Sequence, residues 1–417
     1  MEQGYIQQTG LWKHGVKSFE RRSTMIYVGI DVAKSKHDCF ITNSDGEVLR
    51  TGFVIQNSMS GFQELYEAIL SFEPHPTPHN IRIGLEATGH YSNNLIDFLL
   101  SKNLNPVVLN PLSTNLFRKG QSLRKIKTDK SDARFITMML ITEDVKPYSP
   151  VSYHISELKS LTRHRFRLVR ESSRFKISYA RILDVIFPEL AGAVWATTQK
   201  SVLLTLLELP NTNAIAQCHL TRLFHLLNKN SKGRYHREKA IEIRELARNS
   251  IGSNSPALAF ELQQTIRSIL FLKEELSLLY TQIKKVVQEL DPLIMSIPGI
   301  SYTLAAMILA EIGDIERFDS PAKLLAFAGL EPSTYQSGKF TSSHATMVKR
   351  GSKYLRWAIL NAVRLVCMRD AAFRAYRDRK QLEGKHYFIA LSHTAKKLIR
   401  VIFYMLKNRQ HFVAQAV

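Results

Sequence analysis

Ile26-Tyr-Val-Gly-Ile-Asp31 is a short apolar run that ends on a carboxylate, and reading it as a first strand decides how the residues around it fold. Downstream, Asp38–Thr42 alternates as a second strand. Asn43-Ser-Asp-Gly46 supplies a tight-turn signal, and Val48–Ile55 reads as a third strand that completes a meander. Ser60–Phe72 carries Phe62, Leu65, Ile69 and Leu70 at helical spacing. Beyond the loop from Pro74 to His79 come a strand Ile81–Glu86, a helix Ser92–Lys102, a strand Pro106–Leu109 and helical segments from Ser113 to about Thr142.

The order β-β-β-α-β-α-β-α predicts an α/β fold of the ribonuclease H-like (RuvC-like) kind over residues 25–150, a mixed sheet with helices on both faces. Residues 1–24 are mixed and basic, and read as an arm. Pro147 and Pro150 mark a linker. Residues 151–290 read as a helical stalk or coiled coil: a long basic helix from Ile155 to about Ile186 and another at Ala257–Leu290 flank shorter helices. Residues 291–417 form a C-terminal, mainly helical domain. Ser320-Pro321 starts one helix there, a Ser/Thr/Gly-rich loop runs from Glu331 to Ser352, and two basic helices at about 353–380 and 386–407 close the chain.

With 57 Lys and Arg against 36 Asp and Glu, the net charge is +21. Such a surplus favours a polyanion, because each neutralised phosphate releases condensed counterions. The charge is spread through folded-looking segments, which points to nucleic acid over a membrane surface. No apolar run reaches membrane-spanning length, and residues 1–24 lack the apolar core of a signal peptide. Cys39, Cys218 and Cys367 form no CxxC pair and fit a reducing cytoplasm. There is no Walker-type loop, so ATP is not called for.

Asp31 and Glu86 end strands that this fold places side by side. Asp129 and Asp132, three residues apart on a helix, share one face. Taken singly, such acids are more often caps or surface residues, by roughly three to one; in this order the balance reverses. Four carboxylates at one edge repel unless a divalent cation neutralises them, and hard oxygen donors suit Mg²⁺ or Mn²⁺. Sites of this kind carry out phosphoryl transfer. Arg118, Lys119, Arg124, Lys125, Lys127 and Lys130 crowd the second pair, with Lys34 just beyond the first strand, as a phosphate backbone passing over metal ions requires. Further basic faces carry Arg163, Arg167, Arg170 and Arg174, then Lys349, Arg350, Lys353 and Arg356, with Tyr354 and Trp357 interleaved.

Three blocks, Gly29-Ile-Asp31-Val-Ala-Lys34, Gly84-Leu-Glu86-Ala-Thr-Gly89-His-Tyr91 and Lys127-Thr-Asp129-Lys-Ser-Asp132-Ala133, resemble those of the DEDD insertion-sequence transposases of the family numbered one hundred and ten. That family is related to the Piv DNA invertases. The likeness continues through Ile297-Pro-Gly-Ile300, Ala328-Gly-Leu330-Glu-Pro332, Ser337-Gly338-Lys339 and Lys349-Arg-Gly351, so it runs from about residue 25 to the end. The middle helices match in character alone. Two departures stand out: Gln336 where relatives often carry a second serine, and Ser352 where an asparagine is usual. Ile297-Pro-Gly-Ile300 also resembles a helix-hairpin-helix phosphate turn; a plain helix break fits the local sequence as well.

The resemblance implies a metal-activated serine that attacks a DNA phosphodiester and forms a phosphoserine link. By position that serine is Ser337, with Lys339 beside it and Ser333, Ser342 and Ser343 as fallbacks. On local sequence alone Ser337 is a turn residue. The family further implies a bridge RNA that pairs with donor and target DNA; the basic faces of 113–134 and 155–181 are candidates for holding that RNA, or DNA in its place. Synapsis of two DNA sites calls for a dimer or tetramer, acting at the nucleoid, and the placing of serine and carboxylates on separate domains allows a composite site in which Ser337 of one subunit meets the carboxylates of another. The rivals are a RuvC-like metal-dependent junction nuclease that hydrolyses DNA with water, an actin-like ATPase whose later phosphate loops are missing here, and a DNA-binding regulator that has lost catalysis.

Overall fold

The computed structural model describes residues 25–86, 90–109, 111–121, 129–143, 145, 153–333, 336–337, 340–341 and 346–414, and of Asp129, Lys130 and Ser337 the backbone. Arg124, Lys125, Lys127, Lys339, Ser342 and Ser343, the arm 1–24, and Pro147 and Pro150 lie outside the described residues. The chain divides into two compact units, Met1–Pro150 and Val151–Val417.

In the first unit β1 (Ile26–Val32) lies at the centre. Ile26, Val28, Ile30 and Val32 are buried on one face of the pleat, and Tyr27, Gly29 and Asp31 point to the other. β2 (Lys36–Asn43) pairs antiparallel with β1, placing Asp38 opposite Asp31, and β3 (Val48–Gln56) extends the meander. α1 (Met59–Leu70) starts at Ser58, whose side chain accepts from the Gly61 N–H. β4 (Ile81–Glu86) then joins the other side of β1 in parallel, from Ile26↔Ile81 to Ile30↔Leu85. α2 (Asn93–Ser101) leads to β5 (Val107–Leu109), giving a mixed five-stranded sheet of order β3-β2-β1-β4-β5. α3 (Pro111–Gln121) and α4 (Asp129–Thr142) complete the unit. Phe62, Leu65, Leu95 and Leu99 cover one face of the sheet; Ile136, Met139, Leu140 and Phe117 cover the other. The expected element order is therefore observed, with ends that shift by one or two residues.

In the second unit α5 (Tyr153–Ile186) and α11 (Pro256–Leu290) run antiparallel. The start of α5 shares a core with the end of α11 (Leu158 with Ile283, Val286 and Val287), and its end shares another with the start of α11 (Tyr179 and Ile182 with Leu262 and Ile266). Between them lie α6 (Leu190–Ala193), α7 (Lys200–Glu208), α8 (Thr212–Gln217), α9 (Leu220–Ser231) and α10 (Arg237–Arg248). The core does not break at residue 290, where the sequence reading divides the chain. Leu158 and Ile283–Val287 pack with α12 (Tyr302–Ile312) and the helices after it.

α13 (Pro321–Phe327) is capped by Ser320 as expected. The loop expected at 331–352 contains a small hairpin, β6 (Gln336–Ser337) paired with β7 (Phe340–Thr341). The single helix expected at 353–380 is two, α14 (Lys353–Arg369) and α15 (Ala371–Leu382). Asp370 adopts an extended conformation between them and accepts from the Phe373 N–H at 2.9 Å. α16 (Tyr387–Asn408) ends the described helices. All three cysteines are free and buried, and no described helix is long and apolar enough to cross a membrane.

Candidate functional site

Glycines at the centre of strands cost stability unless another backbone needs the space. Gly29 and Gly84 sit opposite each other on β1 and β4, and α4 lies across both. A Cβ at Gly29 would stand 2.2 Å from the Ala133 carbonyl oxygen and from the Thr137 hydroxyl; one at Gly84 would meet the Leu140 side chain at 2.8 Å. At the far end of α4, Arg82 near the start of β4 donates to the carbonyls of Leu140 (3.5 Å) and Val145 (3.4 Å). α4 therefore runs antiparallel to the two strands. Its first turn, with Asp129 and Asp132, lies toward the strand ends that carry Asp31 and Glu86. The pleat turns Asp31, Glu86 and Gly29 to the α4 face.

Asp31, Glu86 and Asp132 are each partly buried. Glu86 accepts from the Thr114 hydroxyl of α3 at 2.6 Å. Arg118, also on α3, donates to both oxygens of Asp132 at 3.1 and 3.3 Å and to Asn115 at 2.8 Å. Side-chain exposure of 25% for Arg118 and 15% for Asp132 makes this a sheltered pair, stronger than a surface ion pair. Asp38, which sequence reasoning passed over, faces Asp31 across the β1–β2 ladder and is 4% exposed. The donors are all carboxylate oxygens, a set that fits a hard divalent cation. Among the described residues, no three His, Cys, Asp or Glu side chains gather closely enough to hold a metal.

Ser337 lies on β6, paired with Phe340. Ser333 holds the base of the hairpin: its N–H donates to the Thr346 carbonyl at 2.7 Å and its hydroxyl oxygen accepts from the Thr346 N–H at 3.0 Å. The hairpin returns to the start of α14 at Ser352, which caps Leu355 and donates to Glu311 at 2.7 Å. Glu311 is 3% exposed in the apolar helix α12. Arg163 binds it with two bonds, 2.7 Å from Nε and 3.0 Å from the guanidinium terminus. The sequence did carry a signal for this network, a lone charge in Ala305-Ala-Met-Ile-Leu-Ala-Glu311, but its partners lie far away in the chain.

Arg163 is thus committed inside the fold. Its ionised form is favoured by Glu311 against the opposing cost of burial, and the net direction is upward. Arg356 donates to the carbonyls of Ala328 (3.3 Å) and Lys349 (3.1 Å), holding the base of the serine hairpin to α14. Arg167, Arg170 and Arg174 are exposed on α5, Arg174 pairing with Glu171, and Lys34, Lys119, Lys349, Arg350 and Lys353 are exposed as well. Lys130 belongs to the first turn of α4. At the Pro298-Gly299 turn, a Cβ on Gly299 (φ +96°) would lie 2.7 Å from the Leu365 carbonyl, so close packing against α14 accounts for this glycine.

Two family models match this chain, and between them they span more than half of it. A DEDD transposase model matches residues 28–188, and the "Transposase IS116/IS110/IS902 family" model matches residues 291–378. The 44.8 kDa protein of insertion element IS116 from Streptomyces clavuligerus is 25% identical over 94% of this chain and 97% of its own length. The mini-circle putative transposase for IS117 from Streptomyces coelicolor is 23% identical over 94% and 96%. The pilin gene-inverting protein of Moraxella bovis is 23% identical over 93% and 97%.

Proposed function

Because this chain belongs to the transposase family of the IS110 and IS116 insertion elements, we propose that it excises and integrates a mobile element through a carboxylate-held divalent metal and the Ser337 hydroxyl. The observation that carries this reading is α4, laid antiparallel over Gly29 and Gly84 so that its first turn approaches the ends of β1 and β4. The meander followed by parallel strands supports a ribonuclease H-like reading of the first unit. Asp31, Glu86, Asp129 and Asp132 would hold Mg²⁺ or Mn²⁺, which when bound supplies charge neutralisation at the phosphate.

The chain's own groups do the rest. Thr114 orients Glu86, and Arg118 neutralises Asp132. Ser337 attacks the phosphodiester through its oxygen; the P–O bond to the departing strand breaks, a phosphoserine bond forms, and the hydroxyl proton ends on the oxygen of the departing strand. Reversal of that step on a second strand rejoins the DNA with no external energy source. A gene-inverting relative fits the same cut-and-rejoin chemistry. Donor and target choice by a bridge RNA, assembly as a dimer or tetramer, and action at the bacterial nucleoid complete the proposal, with the +21 charge in support of two nucleic acids.

Strand transfer between end-labelled donor and target DNA, with the element's flanking RNA, tests it. Activity should require Mg²⁺ or Mn²⁺ and should be lost with chelator, in Asp31→Ala and in Glu86→Ala. Undiminished transfer in either variant would remove the carboxylate site from the account.

A further inference from the structure

Trp195 is 93% exposed, although a large aromatic side chain gains more than most from burial. It is not on a loose segment. Val194 beside it is 7% exposed, and the Thr197 carbonyl two residues on accepts from the buried Tyr179 hydroxyl of α5 at 2.9 Å. Trp195 is one of the residues lining a cavity of about 840 Å³ between the start of α7 and the turn joining α9 to α10. Tyr235 forms part of its wall, donating from its hydroxyl to Gln199 at 2.8 Å while its carbonyl accepts from Asn228 at 3.0 Å.

Lys200, Lys232 and Arg234 also line this cavity, and no acid does. Lys232 is held in a left-handed conformation (φ +57°) ahead of Gly233, a turn that presents its side chain from the end of α9. Lys176 of α5 and Lys273 of α11 bring further positive charge. Burial lowers the Lys273 ammonium, and the proximity of Lys176 and Lys200 adds to that lowering. Among the described residues none of these five cations forms an ion pair. Cations that gather with no acid between them repel one another, at a cost that a polyanion offsets. The residues that line the cavity, Trp195 to Tyr235, lie between 188 and 291, a stretch that neither family model matches.

We propose that this cavity binds an unpaired stretch of nucleic acid, one base stacked on Trp195 and its flanking phosphates on Lys200, Lys232 and Arg234. An exposed indole beside lysines is the pairing that single strands use, since every base offers a π-face and the backbone supplies the charge. A closed duplex hides its base faces and does not fit. The inference rests on the nucleic-acid reading of the chain but not on its chemistry. The partner is an RNA loop or a displaced DNA strand, two sources of the same recognised group.

The test is fluorescence anisotropy on the full chain, without metal, using labelled oligouridylate, oligothymidylate of equal length and a blunt DNA duplex. Trp195→Ala should weaken single-strand binding by roughly tenfold or more and leave duplex binding unchanged. Lys200→Ala with Arg234→Ala should lower the salt slope for single strands by about 1.4. The tighter of the two oligonucleotides identifies the source. All three side chains line an open cavity, and an unchanged melting temperature would verify the fold. Equal losses on duplex, or no loss on either oligonucleotide, would overturn the proposal. So would a change confined to self-association, which would make Trp195 a contact for a second copy. The assay uses neither metal nor strand transfer, so failure here and failure of the catalytic reading are separable.

Discussion

At the scale of single residues, Gly29 and Gly84 act through what they lack. The sequence shows each only as one position in an apolar strand, with Asp31 or Glu86 two residues on; the reason for them is the Ala133 backbone and the Leu140 side chain that occupy the missing Cβ space. The two substitutions should differ. Gly29→Ala meets a carbonyl oxygen that cannot yield without moving α4, so we expect a loss of about 1–3 kcal/mol and a fall in catalysis as Asp132 shifts. Gly84→Ala meets the flexible end of Leu140 and should cost less. Thermal melts of both variants check this ordering; a smaller loss for Gly29→Ala would mean that α4 is not held by backbone contact. Glu311 was illegible for a different reason. Its meaning comes from Arg163, which precedes it by 148 positions, and no local pattern links the two.

At the scale of elements, the strands of the first unit were legible because alternating burial leaves a clear imprint: Ile26, Val28, Ile30 and Val32 are inside, and Ile81, Ile83 and Leu85 repeat the pattern. The break at Asp370 was not, since a capping acid inside a basic helical pattern reads equally well as a surface charge. The hairpin that carries Ser337 was hidden by two-residue strands too short to show a period. β2 contributes a testable pH effect. His37 is fully buried against Phe62, and among the described residues neither ring nitrogen has a partner at hydrogen-bonding geometry. Burial pushes its pKa below the ordinary 6.5, outweighing Asn57, the Lys36 backbone and Asp38, which act in the opposite direction. The unfolded chain therefore takes up the proton first as pH falls through about 6.5, and the first unit loses stability from there down to the folded pKa. Above that window the contribution is complete. His37→Leu should melt with a smaller acid shift than wild type; an identical acid shift would assign the sensitivity to other groups.

At the scale of the whole molecule, two compact units organise one chain, and most of the positive charge belongs to the second: Val151–Val417 holds 40 Lys and Arg against 21 Asp and Glu, whereas Met1–Pro150 holds 17 against 15. The long pair α5 and α11 belongs to the core of the helices that follow it, because Leu158 and Ile283–Val287 pack with α12 and α14. A fragment of residues 151–417 should therefore melt cooperatively, whereas 291–417 should not. Equal cooperativity would mean that the C-terminal helices need neither long helix. The proposed catalytic residues divide in the same way: the carboxylates belong to the first unit and Ser337 to the second. The carboxylate blocks were legible from strand order and spacing. Ser337 became a candidate only through family resemblance, since Ser-Gly in a polar loop has no chemical mark of its own.

The most direct test of the central claim is a search for the covalent intermediate. Labelled donor and target DNA, Mg²⁺ and the flanking RNA are incubated with wild type, Ser337→Ala and Asp31→Ala, and protein-linked DNA is scored on a denaturing gel before and after proteinase. A proteinase-sensitive adduct in wild type, absent from both variants, is the predicted result. Cleavage that persists in Ser337→Ala with no adduct would contradict the serine mechanism and leave a metal-dependent nuclease that uses water.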